Sequence, residues 1–281
     1  MFRNNAKTAW LLLAPLLAGI LVFFVIPFII MIRYSFTFGG AFVGFGNYRD
    51  ILSSKAFLLA FGNTAKFSLL GVILNMTLSF LLALCLRNKF AGSRLSQSVI
   101  LFPMLLPVAV IVAVVTTLFG NGGLVNRLLD SLGVPIVDWL DSGAAFYLML
   151  GLYLFKSFGY SVILLLAGMR SIPVPYYEIA RIEGASRPRM VFRITLPLLA
   201  PSLFFTFLIA LMNCYRSFRD VFVLGGNHPH DSIYMLPHFF NNSIQNLNYP
   251  RLAVASVITL AATSLIIIVA YKCELALEKD L

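Results

Sequence analysis

The groups in this chain that could do chemistry are few, and their spacing tells more than their number. Eleven carboxylates are available for proton transfer: Asp50, Asp130, Asp138, Asp141, Glu178, Glu183, Asp220, Asp231, Glu274, Glu278 and Asp280. None lies in the middle of a long apolar run; Asp220, at the end of one, comes nearest. A proton-driven carrier needs a titratable group at depth in the membrane, so the acids point to an energy source outside the chain. Nucleotide hydrolysis is absent too: the sequence contains no Gly-Lys pair, hence no G-x-x-x-x-G-K-[ST] loop to cradle phosphates. HExxH, CxxC and GxSxG do not occur, and no nucleophile–base constellation is present, so the chain is not read as an enzyme. His228, His230 and Asp231 have the donor types for a metal, but together with His238 they share one loop and read as surface histidines. Cys85, Cys214 and Cys273 have no pairing pattern and read as small buried hydrophobes.

Charge is gathered in one place instead. The stretch EIARIEGASRPRMVFRITLP, Glu178–Pro197, sits between two long apolar segments and carries Glu178, Arg181, Glu183, Arg187, Arg189 and Arg193. A greasy chain that concentrates charge between two such segments is offering that loop to a partner. Pro173 and Pro175 end the preceding helix and suit the first turn of a new one. Tyr177, Ala180 and Arg181 follow at helical spacing, and Gly184 can take the left-handed conformation that closes a helix. Ser186 is placed to cap the next helix, with Pro188 in its first turn, and Pro197 and Pro201 mark the start of the following apolar run. The pattern predicts a helix–turn–helix.

The elements that must hold this loop follow from composition. Of 281 residues, 60% are hydrophobic and 11% charged, where soluble domains carry roughly 25% charged residues; mean hydropathy is +0.90. Such a chain cannot hide its apolar surface in one soluble core. Six apolar stretches are long enough to cross a bilayer: residues 9–32, 66–86, 98–119, 144–169, 198–224 and 253–271. About 20 helical residues span the roughly 30 Å hydrocarbon layer. The runs do not alternate as barrel strands do, so the expected fold class is an all-α membrane protein with six transmembrane helices. The first run is too long for a cleaved signal peptide, is followed by no A-x-A site, and reads as a retained span kinked by Pro15 and Pro27.

Basic residues orient the bundle. With the N-terminus inside, the cytoplasmic segments hold Arg3, Lys7, Arg87, Lys89, Arg94, Arg170, Arg181, Arg187, Arg189, Arg193, Lys272 and Lys279. They outnumber Arg33, Arg49, Lys55, Lys66, Arg127, Arg216, Arg219 and Arg251 on the other side, and six spans then leave both termini cytoplasmic. This sorting, with anionic lipid, accounts for the net charge of +10 without nucleic acid. The longer outer connections, 33–65, 120–143 and 225–251, either pack over the bundle or receive a partner.

Polar residues inside the spans are candidates for a substrate path. Asn213, Tyr215, Arg216, Phe218, Arg219 and Asp220 cluster at the outer end of the fifth run, where hydrogen-bonding groups beside aromatic faces suit a sugar and equally suit an interfacial belt. Lys156 falls about 21 Å from the Arg170 end of its helix and reads as a side chain reaching outward to the interface, with a path-lining role as the alternative. Asn75 reads as a helix–helix hydrogen bond or a ligand contact.

The pattern E-x-A-x-x-x-G followed by I-x-L-P, here Glu178, Ala180, Gly184, Ile194, Leu196 and Pro197, resembles the signature loop of binding-protein-dependent ABC importer permeases. The usual form has two alanines after the glutamate; Ile179 replaces the first. The flanking IPVPYYE, GAS and ITLPLLAP extend the match, and the similarity runs from about Asn63 to the C-terminus. The GGNHP turn and the aromatic segment after it are similar to carbohydrate-uptake permeases. The resemblance implies the type I ABC importer permease fold with a cytoplasmic coupling helix. Residues 1–62 would be the first transmembrane helix and outer loop, and residues 63–281 the permease core of five transmembrane helices, with the coupling loop at about 171–197. It makes Glu178, Ala180, Arg181, Glu183, Gly184 and Ala185 the ATPase-coupling residues: Glu178 acting by charge, Ala180 packing against the ATPase and Gly184 making the turn. It implies no cofactor on this chain, with ATP and Mg on the partner ATPase. The implied partners are a second permease subunit, an ATP-binding subunit dimer, an extracytoplasmic sugar-binding protein and membrane lipid, in a bacterial plasma membrane. The implied function is the permease subunit of an ATP-driven importer for a sugar or oligosaccharide. Import of another small solute, such as an amino acid, phosphate ester or metal, and an ion-coupled secondary carrier stay open as alternatives.

Overall fold

Proline placement explains most of the departures from straight spans. The structure is a computed structural model that describes residues 5–87 and 93–279. Helix α1 (Asn5–Ile20) absorbs Pro15 and continues through a wide turn, Leu21–Val25, into α2 (Ile26–Ser35). The wide turn sits just ahead of Pro27, whose missing N–H leaves a carbonyl of that turn without its usual donor. The resulting span, Ala9–Ser35, has none of its apolar window buried by its own chain. A short hairpin follows, β1 (Thr37–Phe38) against β2 (Ala41–Phe42), turned by Gly39 and Gly40 at φ +58° and +86°. Asn47 on α3 (Gly46–Leu52) braces it, donating to the carbonyls of Ser35 and Thr37 at 3.1 and 3.0 Å. The composition pattern did not announce this strand pair.

Helix α4 (Lys55–Leu86) begins well ahead of the expected residue 66. The next expected span, 98–119, is broken. Helix α5 (Ser93–Leu101) gives way to a tight turn, Phe102–Leu105, before α6 (Val108–Phe119). Leu106 is extended at φ −68°, ψ 127°, the conformation that a following proline favours, and Pro107 then heads α6. After α7 (Leu124–Ser131) comes α8 (Ala144–Ser171), close to the expected 144–169. The loop helices are α9 (Pro175–Ile182) and α10 (Arg187–Met190), leading through Val191–Thr195 to α11 (Leu196–Leu198), α12 (Ala200–Arg216) and α13 (Phe218–Gly225). The fifth expected span is therefore not one rod: Arg187–Leu198 and Ala200–Gly225 meet at 72°, with Pro197 and Pro201 flanking the bend. Helices α14 (Leu236–Gln245) and α15 (Tyr249–Lys279) close the described chain. Among the described residues, five helices are long and apolar enough to cross a membrane, and six when the bent pair counts as one span.

Two compact units result. The first joins the described residues up to Leu58 with Phe240–Thr263; in it Arg251 donates to the Ser54 hydroxyl at 3.0 Å. The second holds Leu59–Phe239 and the chain from Ser264 on, and α8 is its axis. Met149, Tyr153, Val162, Leu165 and Met169 of α8 are almost wholly buried, against Phe67 and Ala83 of α4 and Leu199, Ala210 and Cys214 around α12. Glycines permit the close approaches. A Cβ on Gly159 would fall 1.9 Å from the Ile100 carbonyl oxygen, and one on Gly168 would fall 2.3 Å from the Ser202 hydroxyl.

Candidate functional site

The charged loop folds as the spacing predicts. Helix α9 starts at Pro175, where a missing N–H costs nothing, and places Glu178 in its first turn and Arg181 in its last, both favourable to the helix dipole. Its end is a paired-carbonyl lock. Gly184, at φ +79°, donates to the Arg181 carbonyl at 3.0 Å, and Ala185 donates to the Ala180 carbonyl at 2.8 Å. Ser186 occupies the N-cap position of α10, but its side chain makes no capping bond there.

Only two residues of α9, Tyr177 and Ala180, are buried. They pack with Ile172 and Met190 in a small cluster of their own. The resemblance gives Ala180 a packing role against a partner; here it faces its own chain. The exposed surface is made of Glu178, Arg181 and Glu183 together with Tyr176, Ile179 and Ile182, the last 86% exposed. Ile179, the departure from the familiar pattern, thus changes the outer surface of the helix and not its packing. Tyr177 is held on both sides. The Arg87 guanidinium lies 3.8 Å from its ring centroid, and its hydroxyl pairs with that of buried Thr195 at 3.0 Å. Neither Arg87 nor Thr195 stands out in the sequence; their partnership depends on three segments meeting at one ring.

The second constellation lies around Asp220. Lys156 of α8 does not reach outward as expected: its Nζ donates to both Asp220 carboxylate oxygens, at 2.9 and 2.8 Å. Asp220 is 4% exposed, in the first turn of α13. Largely withdrawn from water, each of these charges is tolerable because of the other. Of the remaining residues in the group, Phe218 packs tilted on Phe222 with ring centroids 5.4 Å apart, Tyr215 packs on the α8 core, Asn213 is half-buried, and Arg216 and Arg219 stay exposed. Asn75 is fully buried on α4, and among the described residues its amide has no hydrogen-bond partner, so the expected helix–helix bond is not made.

His238 is also not the surface histidine the loop suggested. It is fully buried on α14, with Phe218 edge-on at 4.7 Å and Tyr234 at 5.7 Å. Its Nδ1 accepts the Met235 amide at 3.2 Å. Burial, with a smaller push from nearby His228, lowers its pKa to about 4. His230 Nδ1 instead accepts the Ser232 amide at 3.1 Å, capping the turn Asp231–Ile233. No cluster of three metal-ligating side chains forms among the described residues. Of the cysteines, Cys214 alone is buried; Cys85 and Cys273 are exposed.

Comparison with known proteins agrees with this fold. The sequence pattern of the family described as "Binding-protein-dependent transport system inner membrane component" matches residues 75–279. The chain is similar to the trehalose/maltose transport system permease protein MalF of Thermococcus litoralis, 33% identical over 234 residues that cover 80% of this chain and 79% of that one. It is also similar to the sn-glycerol-3-phosphate transport system permease protein UgpA of Salmonella choleraesuis, 32% identical over 231 residues covering 79% and 77%. Its fold matches a chain of a bacterial alginate ABC transporter, solved in complex with an alginate pentasaccharide-bound periplasmic protein. There the TM-score is 0.83 and the identity 22%, over 99% of this chain and 98% of the other.

Proposed function

The chain belongs to the family of binding-protein-dependent transport system inner membrane components, and from that premise we propose how this permease subunit of an ABC importer is powered and what it passes. Helix α9 docks into a groove on a separate cytoplasmic ATPase subunit. The observation that carries this is the helix itself: a rigid, lock-ended turn whose outer face mixes Glu178, Arg181 and Glu183 with exposed Ile179 and Ile182. That mixture suits an interface with an apolar centre and a polar rim. Gly184 and Ala185 set the turn, and Ala180 seats the helix on its own bundle. ATP and Mg belong to the ATPase dimer; this chain hydrolyses nothing. Both termini are then cytoplasmic, residues 1–62 serve as first helix and outer loop, and residues 63–281 as the core. A second permease subunit completes the path.

The cargo is a sugar or oligosaccharide handed over by an extracytoplasmic binding protein. Asn75, Lys156, Asn213, Tyr215, Arg216, Phe218, Arg219 and Asp220 contribute to the path on this side. Aromatic faces at Tyr215 and Phe218 suit the C–H face of a pyranose, and buried Asn75 has hydrogen-bonding capacity to spare. A phosphate ester is the second reading, favoured by the exposed guanidinium groups of Arg216 and Arg219. Reconstitution of the four-component transporter in liposomes tests both. ATP-driven uptake of a neutral oligosaccharide, unaffected by excess sn-glycerol-3-phosphate, is the expected result. Competition by the ester would favour the second reading, and uptake by this chain without an ATPase would overturn the importer assignment.

A further inference from the structure

We infer that Tyr177, clamped between Arg87 and Thr195, is the point through which movement of α9 enters the membrane bundle. The inference rests on reading α9 as the ATPase-docking helix.

Helix α9 has eight residues and buries two of them. A push on its exposed face can reach the bundle only through those two side chains and the chain ends. Ala180 offers a methyl contact within the small cluster. Tyr177 offers directional bonds to two other segments. Arg87 follows directly on Leu86, the last residue of α4, and stacks over the ring at 3.8 Å. Thr195 closes the turn Val191–Thr195 that leads into the bent pair α11–α12, and it holds the Tyr177 hydroxyl at 3.0 Å. Tyr177 and Thr195 are 5% and 0% exposed, so water does not compete for this bond. The α4 end is tied in turn to the α8 end, where the Arg170 guanidinium donates to the Leu86 carbonyl at 3.4 Å. One aromatic ring therefore links the loop helix to the residue that follows α4 and to the turn that leads through α11 into α12, and the α8 end joins through the α4 end. An isolated methyl contact would let α9 slide; a ring held on its face and at its hydroxyl transmits both push and rotation.

The test separates transmission from docking. Tyr177→Phe deletes one side of the hydroxyl bond; Thr195→Val deletes the other side, together with the Thr195 hydroxyl's donation to the Met190 carbonyl at 3.4 Å; and Arg87→Met removes the cation while keeping a long apolar stem. In the reconstituted transporter, all three should co-purify with the ATPase and keep basal ATP hydrolysis. Sugar taken up per ATP hydrolysed should fall by about fivefold or more, the lower end of typical coupling between sites. The Tyr177→Phe/Thr195→Val double variant should be no worse than Thr195→Val alone, because the bond that Tyr177→Phe removes is already broken there. Arg87→Lys, which retains a cation over the ring, should recover part of the ratio. Wild-type uptake per ATP in these variants would overturn the inference, as would loss of the ATPase on purification, which would make Tyr177 a docking residue. Glu178→Lys run alongside tests the underlying reading: loss of coupling there with normal coupling in Tyr177→Phe leaves α9 as the docking helix and removes the relay alone.

Discussion

At the scale of single residues, the charges of Lys156 and Asp220 are tolerable in an apolar surrounding because each has the other. Lys156 and Asp220 show the limit of sequence reading: each could be placed in a helix, but neither revealed that the two meet across 64 positions. Removing one partner strands the other charge in an apolar surrounding, at a cost of about 3–5 kcal/mol, whereas replacing both with apolar groups is close to neutral. Lys156→Met and Asp220→Leu should each lower the thermal midpoint of the purified transporter markedly, and the double variant should recover most of the loss. A double variant as unstable as the sum of the singles would show that the pair is not what holds the charges. His238 was misread for a related reason, since a loop rich in polar residues gives no sign that one of them is enclosed by Phe218 and Tyr234. Its pKa of about 4 lies below the ordinary value near 6.5, so the open segment binds more protons than the closed one between those values. Stability from His238 is complete above about pH 6.5 and is lost progressively as pH falls towards 4, by about 3 kcal/mol at most. Hydrogen-exchange protection across residues 230–245, corrected for the pH dependence of intrinsic amide exchange, should therefore fall with acid over that window, and His238→Phe should flatten the dependence.

At the scale of elements, apolar run length located the spans but not their shape. The runs near 9–32, 144–169 and 253–271 became helices with few surprises, because a long uncharged stretch has one stable solution in lipid. The breaks at Leu106 and Leu199 were legible only in hindsight from Pro103, Pro107, Pro197 and Pro201, since proline within a membrane helix either bends it or is absorbed, as Pro15 is. Which face meets which neighbour was not legible at all. Two glycines of α8 illustrate the difference. Gly151 has nothing within 4 Å of a built Cβ, while Gly159 would place one 1.9 Å from the Ile100 carbonyl. Gly151→Ala should be neutral or gain up to about 1 kcal/mol from helix propensity. Gly159→Ala must push α5 away from α8 and should cost about 1–3 kcal/mol, the usual penalty for overpacking. Equal melting temperatures for the two variants would mean that α5 and α8 do not approach each other this closely in the assembled protein.

At the scale of the whole molecule, the proposed docking helix and the proposed cargo path are written in different places and with different clarity. The loop signature was readable because a local motif fixes it: a proline start, a left-handed glycine close and charge on the free face all lie within residues 175–197. The proposed path for cargo was not, because its candidate residues come from α4, α8, α12 and α13, and buried Asn75 and paired Lys156 look alike until the helices are placed. That separation has a measurable consequence. Glu178→Lys reverses a charge on the exposed face of α9, and Gly184→Asp forces a side chain onto a residue at φ +79° while adding a second carboxylate beside Glu183. The strain alone is worth about 1–2 kcal/mol, enough to misplace the helix without unfolding the bundle. Both variants should abolish ATP-driven uptake, because the lesion lies between ATPase and bundle, while the affinity of the binding protein for its ligand stays unchanged. Gly184→Asn should be milder, since asparagine visits the left-handed region more readily than most residues and adds no charge. If uptake survives in Glu178→Lys and Gly184→Asp, α9 is not the joint through which this subunit is driven.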